Sequence, residues 1–158
     1  MAYAAPGAHG HSYEDYFEVI EKLDLKPENK VEAFRRMAFN VLAANRDDHS
    51  KNFGFLYDDG EWALSPAFDV TYAHNPEPGK WTATQQMSVL GKREGITAVD
   101  LLEFGRYCTI ATRPKVKAVV GEVIESLKQW PDLANEAGVA EEISGKINRV
   151  IKGQSDLS

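Results

Sequence analysis

The sequence has one cysteine, Cys108, and fewer basic than acidic side chains, 18 against 24. It also has no run of about 18 apolar residues. A lone cysteine excludes a disulfide framework within the chain and favours a reducing compartment, the cytoplasm. Without a long apolar run, no membrane-spanning helix is expected. The net charge of −6 opposes unassisted binding to nucleic acid or to an anionic membrane surface. It does not oppose nucleotide binding, because a divalent cation and a local basic side chain can neutralise phosphates inside an acidic protein. The opening residues, Met1 to Gly7, lack the basic and apolar regions of a signal peptide. No internal repeat or low-complexity tract stands out. What is present is ordinary: 158 residues, 43% of them hydrophobic, enough for one domain with a core.

Residues 1–11 are small and Gly/Pro/His-containing and read as a flexible segment, as do 154–158. Ser12 reads as an N-cap, with Glu14 and Asp15 placed to complement the dipole of a helix over 13–25. Pro27 suits the first turn of a second helix whose apolar face is Val31, Phe34, Met37, Ala38, Val41 and Leu42, ending near Ala44. Two β-rich stretches, 53–57 and 61–64, flank the turn signal Asp59-Gly60 and predict a hairpin. Residues 71–97 read as loop, with a short strand or turn at Met87–Leu90. Helices are expected over about 98–109, 115–129 (broken at Pro131) and 140–151. The fold class is mainly α with a small β-hairpin.

The informative segment runs from Asn45 to Val70. Asp47 is followed five residues later by Asn52, then by the hairpin, then by Ser65-Pro66-Ala67-Phe68-Asp69. That order and spacing match a kinase catalytic loop and its metal-binding aspartate. Phosphoryl transfer needs a carboxylate beside the accepting hydroxyl, and an amide oxygen and second carboxylate to hold Mg²⁺ against the triphosphate of ATP. The candidate roles are therefore Asp47 as base or hydroxyl-orienting residue, and Asn52 and Asp69 as metal and cofactor ligands. Lys51 either neutralises charge on the transferred phosphoryl group or is simply solvated. His49 either bonds the loop or a phosphate, or is structural. Arg46 is an anchor or has an active role. Asp48 lacks the five-residue offset and is expected to be solvated or a cap.

Asp24 and Asn29 repeat the spacing, but helical periodicity follows Asn29, so Pro27 and Glu28 are better read as a helix start. Loop-forming tendencies of Asn45, Asp47, Asp48 and Ser50 explain some of these residues, but not a hairpin bracketed by metal-ligand types. A metal-dependent nuclease or hydrolase built from Asp47, Asp48, His49 and Asn52 is a weaker reading. Adjacent aspartates point apart in extended chain, and His11, His49 and His74 lack i, i+4 spacing.

The segments 34–42, 45–56 and 62–70, with Ser12-Tyr13-Glu14-Asp15 and Met87 to Lys92, resemble the C-terminal domain of HipA-like toxin kinases. The run N-x-D-x-H-x-K-N followed by S-P-A-F-D carries most of the likeness, which reaches from about residue 10 into the C-terminal helices. The resemblance implies a serine/threonine kinase of two-lobe, protein-kinase-like fold. Residues 12–153 would be its helical C-lobe, with Asp47 catalytic and Asn52 and Asp69 on Mg²⁺. It further implies a bacterial toxin–antitoxin module with a helix-turn-helix antitoxin. In the best-known member the target is an aminoacyl-tRNA synthetase, and its phosphorylation leads to dormancy and persistence. The sequence contains no glycine-rich phosphate loop and no strand-borne lysine in a V-A-x-K context; Gly7-Ala8-His9-Gly10 is too short to replace them. Two readings follow. One is a kinase C-lobe, incomplete on its own. The other is a non-catalytic interaction module, or split-kinase subunit, that binds an antitoxin or a separate N-lobe chain.

Overall fold

A computed structural model describes residues 10–77 and 80–155. Most of the expected flexible segment 1–11, and of the tail 154–158, lies outside the described residues. The described elements are α1 (Tyr13–Lys22), α2 (Pro27–Leu42), a 3₁₀ turn (Ser50–Asn52), β1 (Phe55–Asp58), β2 (Glu61–Leu64), α3 (Ala98–Tyr107), α4 (Arg113–Leu127), α5 (Trp130–Glu136) and α6 (Glu141–Gln154). The fold is mainly α with one antiparallel hairpin. Among the described residues no helix is long and apolar enough to cross a membrane.

Helix α2 is the hub: it packs on α1, α3, α4, α6 and β2. Phe34, Met37, Ala38, Val41 and Leu42 are fully buried along one face, as their spacing demands. They meet Leu101 and Phe104 of α3 and Val119 and Val120 of α4 in one core. Gly105 lets α3 and α4 close. A Cβ there would stand 3.0 Å from Val116 Cγ2 and nearer still to Cγ1. Alanine gains about 1 kcal/mol in helix propensity, but overpacking against a stiff β-branched side chain costs about 1–3 kcal/mol. Gly105→Ala is expected to lower the urea midpoint; an unchanged or raised midpoint would show that the two helices part freely.

Helix ends explain how the chain enters the site. Ser12 and Asp15 form a capping box at the start of α1. At the end of α1, Asp24 takes a left-handed φ of 52°, and Leu25 N–H bonds Ile20 C=O at 3.2 Å. Asp24 is thus a helix-terminating residue and Asn29 sits in the first turn of α2, as the helix-start reading expected. At the end of α2 the same arrangement recurs: Ala44 has φ 56°, and Asn45 N–H bonds Asn40 C=O at 2.9 Å. This tight stop turns the chain directly into Arg46 and Asp47.

The hairpin pairs Phe55 with Leu64 and Asp58 with Glu61. It closes through Asp59 (φ 46°) and Gly60 (φ 83°), the left-handed pair that a two-residue turn requires. A second tight turn, at Leu90-Gly91, joins Val89 to Lys92, in keeping with the strand-or-turn expectation there. Pro131 corrects the reading near 129: it starts the short helix α5 in addition to ending α4, because proline fits a first helical turn.

Candidate functional site

Asn52 ties the predicted residues together. Its Nδ2 donates to the Asp47 backbone carbonyl at 3.0 Å and to Asp69 Oδ2 at 3.0 Å. With its amide hydrogens committed to these two, the amide oxygen is the atom suited to ligate a cation. Asp69 is exposed and left-handed (φ 53°), a conformation that aspartate tolerates better than most residues. The Phe68–Asp69 segment is held from below. Arg36 of α2 donates to Ser65 C=O at 2.7 Å, and Glu32 braces Arg36 through its Nε at 2.9 Å. After Asp69 the chain runs back beside the entry to the site loop, where Arg46 N–H bonds Ala73 C=O at 3.0 Å.

The Asp47 carboxylate is half-buried and accepts a hydrogen bond from Trp81 Nε1 at 2.9 Å. His49 Nε2 stands 3.9 Å from the same oxygen, too far for a hydrogen bond, and its Nδ1 is buried with no partner among the described residues. Lys51 is exposed on the 3₁₀ turn beside Asn52. Arg46 is an anchor: its guanidinium donates to Ala83 C=O, and burial pulls its pKa down.

Asp48 is where the expectation fails. The sequence predicts a solvated or capping carboxylate there; the side chain is instead 0% exposed. Its carboxylate accepts Tyr13 Oη (2.8 Å) and Gln85 Nε2 (3.0 Å) on one oxygen, and the backbone N–H of Gln86 (2.7 Å) and Met87 (3.4 Å) on the other. Burial holds its carboxyl above the ordinary range, against the pull of those four donors. Burial, then the Asp48 charge, pushes the Tyr13 hydroxyl well up. The network continues beneath the loop. Asn40 Nδ2 donates to Tyr13 Oη at 3.3 Å, and Asn45 Nδ2 to Asn40 Oδ1 at 3.1 Å and to the Asp69 carbonyl at 3.4 Å. A buried polar lattice thus supports both ends of the candidate site.

Tyr13, Gln85, Asn40 and Trp81 were not singled out from the sequence. Asn40 carried a signal, being a polar residue amid the buried positions of α2. A cavity of about 230 Å³ lies between α2 and the segments bearing Asn52 and Asp69, with Phe39, Phe53 and Phe68 among its walls; Asp47 does not line it. Among the described residues no three His, Cys, Asp or Glu side chains gather as a metal site. The adjacent Asp47 and Asp48 face different partners, which removes the hydrolase set as a cluster. The oxygen pair of Asn52 and Asp69 suits a hard cation such as Mg²⁺, which takes few protein ligands and completes its shell with water and phosphate.

Comparisons with known proteins bear on the family. The model of the HipA-like C-terminal domain matches residues 1–131. A stretch of 69 residues, 43% of this chain, is 35% identical to a protein of Sinorhizobium fredii named "Putative kinase Y4mE". The match spans 16% of that relative's length. With its matched residues covering most of the sequence, the chain belongs to the HipA-like C-terminal domain family.

Proposed function

We propose that the chain is the C-lobe of a Mg²⁺·ATP-dependent protein serine/threonine kinase, carrying the catalytic and metal-binding residues of a site whose phosphate-gripping half lies in an N-lobe. The observation that carries this reading is the Asn52 bridge, 3.0 Å to the Asp47 backbone and 3.0 Å to the Asp69 carboxylate. It ties the backbone of the loop that carries the Asp47 carboxylate to Asp69, so that Asn52 and Asp69 stand together as an oxygen-ligand pair. Asp47 would accept the hydrogen of the substrate hydroxyl and orient its oxygen toward the transferred phosphorus. Asn52 Oδ1 and the Asp69 carboxylate would hold the cation, which when bound neutralises the phosphate oxygens. Lys51 stands beside this pair as a source of positive charge for the phosphoryl group, and His49 flanks Asp47.

The toxin–antitoxin setting, a helix-turn-helix antitoxin, a target such as an aminoacyl-tRNA synthetase, a cytoplasmic site and a role in persistence are proposed on family membership alone. The assignment of 12–153 as the lobe is part of the same proposal.

The test is transfer of labelled phosphate from ATP. The 158 residues alone are expected to bind ATP weakly and to transfer slowly or not at all. Completion by an N-lobe restores transfer, and Asp69→Ala abolishes it. Full activity of a completed Asp69→Ala enzyme would remove the metal assignment, and robust activity of the chain alone would remove the claim of incompleteness.

A second reading, a non-catalytic module or split-kinase subunit, draws on the apolar surface of the hairpin. Tyr57 is 61% exposed, its ring 5.0 Å from that of Trp62, and Phe68 nearby is 48% exposed. The hairpin's inner side rests on α2 and the core through Phe55 and Leu64, which leaves these outward aromatic rings available to a partner chain. Stable association with an N-lobe or antitoxin chain, without transfer by the complex, would favour it.

A further inference from the structure

Two consecutive side chains of the site loop grip the same distant segment. Arg46 donates to Ala83 C=O, and Asp47 accepts from Trp81 Nε1 at 2.9 Å. The gripped segment closes on itself: Asn75 N–H bonds Thr82 C=O at 3.2 Å, and Ala83 N–H bonds Lys80 C=O at 3.0 Å. Thr82, next to Trp81, has φ 65°. That is an unusual conformation for a β-branched residue, and such strain persists only where surrounding structure imposes it. Its hydroxyl bonds the Trp81 carbonyl at 2.6 Å. A large indole is therefore held in place while remaining 64% exposed, an uncommon state for a side chain that usually buries its area.

We propose that Trp81 is a positioning residue for the acceptor side of the site. Its indole N–H fixes the Asp47 carboxylate, and its exposed ring forms a wall beside which the acceptor segment of a protein substrate runs. The inference rests on the kinase reading above. Fixing one carboxylate oxygen sets the direction from which the other can meet a hydroxyl, and small misplacements of such a group slow a reaction steeply. With its N–H edge on the carboxylate and the rest of the ring 64% exposed, the indole would lie beside a serine that reaches Asp47. An aromatic or aliphatic residue flanking that serine would stack there.

Two variants separate the roles. Trp81→Phe keeps a ring and loses the N–H; Trp81→Ala loses both. In the N-lobe-completed enzyme, assayed with ATP and a degenerate serine-peptide library, Trp81→Phe is expected to lower kcat roughly tenfold to a hundredfold with the KM for ATP unchanged. The flanking preference for apolar residues persists in Trp81→Phe and flattens in Trp81→Ala. In the isolated chain, nuclear magnetic resonance reads the contact itself. The Trp81 indole N–H is expected to exchange about tenfold faster in Asp47→Ala, while that of Trp130, bonded to Ser144 C=O at 3.1 Å, does not change. Wild-type kcat in Trp81→Phe together with active wild-type enzyme overturns the positioning role alone, and an unflattened preference in Trp81→Ala overturns the wall. Absence of transfer by the wild type overturns the kinase reading and this role with it, whereas the exchange experiment still decides whether the indole holds Asp47.

Discussion

Asp48→Ala is expected to destabilise the fold by about 3 kcal/mol or more, because buried donors left without an acceptor cost about 1–3 kcal/mol each. Four donors converge on this carboxylate, from Tyr13, Gln85, Gln86 and Met87. They come from α1 and from the 85–87 segment, so the site loop would lose its attachment on two sides at once. Asp48→Asn is expected to recover much of the loss. Its amide oxygen can keep the two backbone donors, and its amide hydrogens can face Tyr13 Oη and a turned Gln85. Gln85 Oε1 is buried with no partner among the described residues and would then gain one. Equal stabilities for Asp48→Ala and wild type in chemical denaturation would sink this account of the anchor.

The same pair of proteins yields a pH signature. Burial raises the Asp48 carboxyl above its ordinary value of 3.8, so the folded chain holds that proton more tightly than the unfolded chain. Such a group stabilises the fold fully below the unfolded value, and the contribution is lost as pH rises through the folded value. Wild type measured against Asp48→Asn is therefore expected to be relatively most stable in acid and to lose that advantage across this window. A difference that grows with pH would mean that the four hydrogen bonds outweigh desolvation.

Asp47→Ala is expected to do the opposite of Asp48→Ala. In an enzyme completed by its N-lobe, phosphoryl transfer should fall about 10²–10⁴-fold, the range for loss of a positioned acid–base group. Stability should stay close to wild type, since the Asp47 side chain is half-buried and Trp81, which bonds its carboxylate, is not a core residue. Two adjacent aspartates would thus divide cleanly, one carrying chemistry and one carrying structure. Transfer retained in Asp47→Ala would move the acceptor-side role to another group.

The helices that shape the site were readable because each carries its own start signal. Ser12 with Asp15, and Pro27, act within one turn, and α2 shows an unbroken apolar face. The hairpin was readable from Asp59-Gly60 for the same reason. Asp47, Asn52 and Asp69 stood out as candidates because the hairpin between them fixes their order, and Asn52 links the Asp47 backbone carbonyl to the Asp69 carboxylate. Asp48 was misjudged because its partners lie 35 to 39 residues away. Nothing local distinguishes a solvated aspartate from one at the centre of a buried network. Trp81 escaped notice for a related reason: it sits in a stretch without periodicity, 34 residues from the carboxylate it bonds. Helix α5 was lost by treating Pro131 only as a terminator.

On the proposed reading Asn52 and Asp69 form the metal-holding pair of a nucleotide site. The most direct measurement replaces Mg²⁺ by paramagnetic Mn²⁺ and follows the amide spectrum of the 158-residue chain with a non-hydrolysable ATP analogue. Signals of Asn52 and Asp69 should broaden first, with those of Asp47 and Trp81 close behind, and Asp69→Ala should remove the effect. Broadening that instead spreads over the acidic surface, or that survives Asp69→Ala unchanged, would contradict the account.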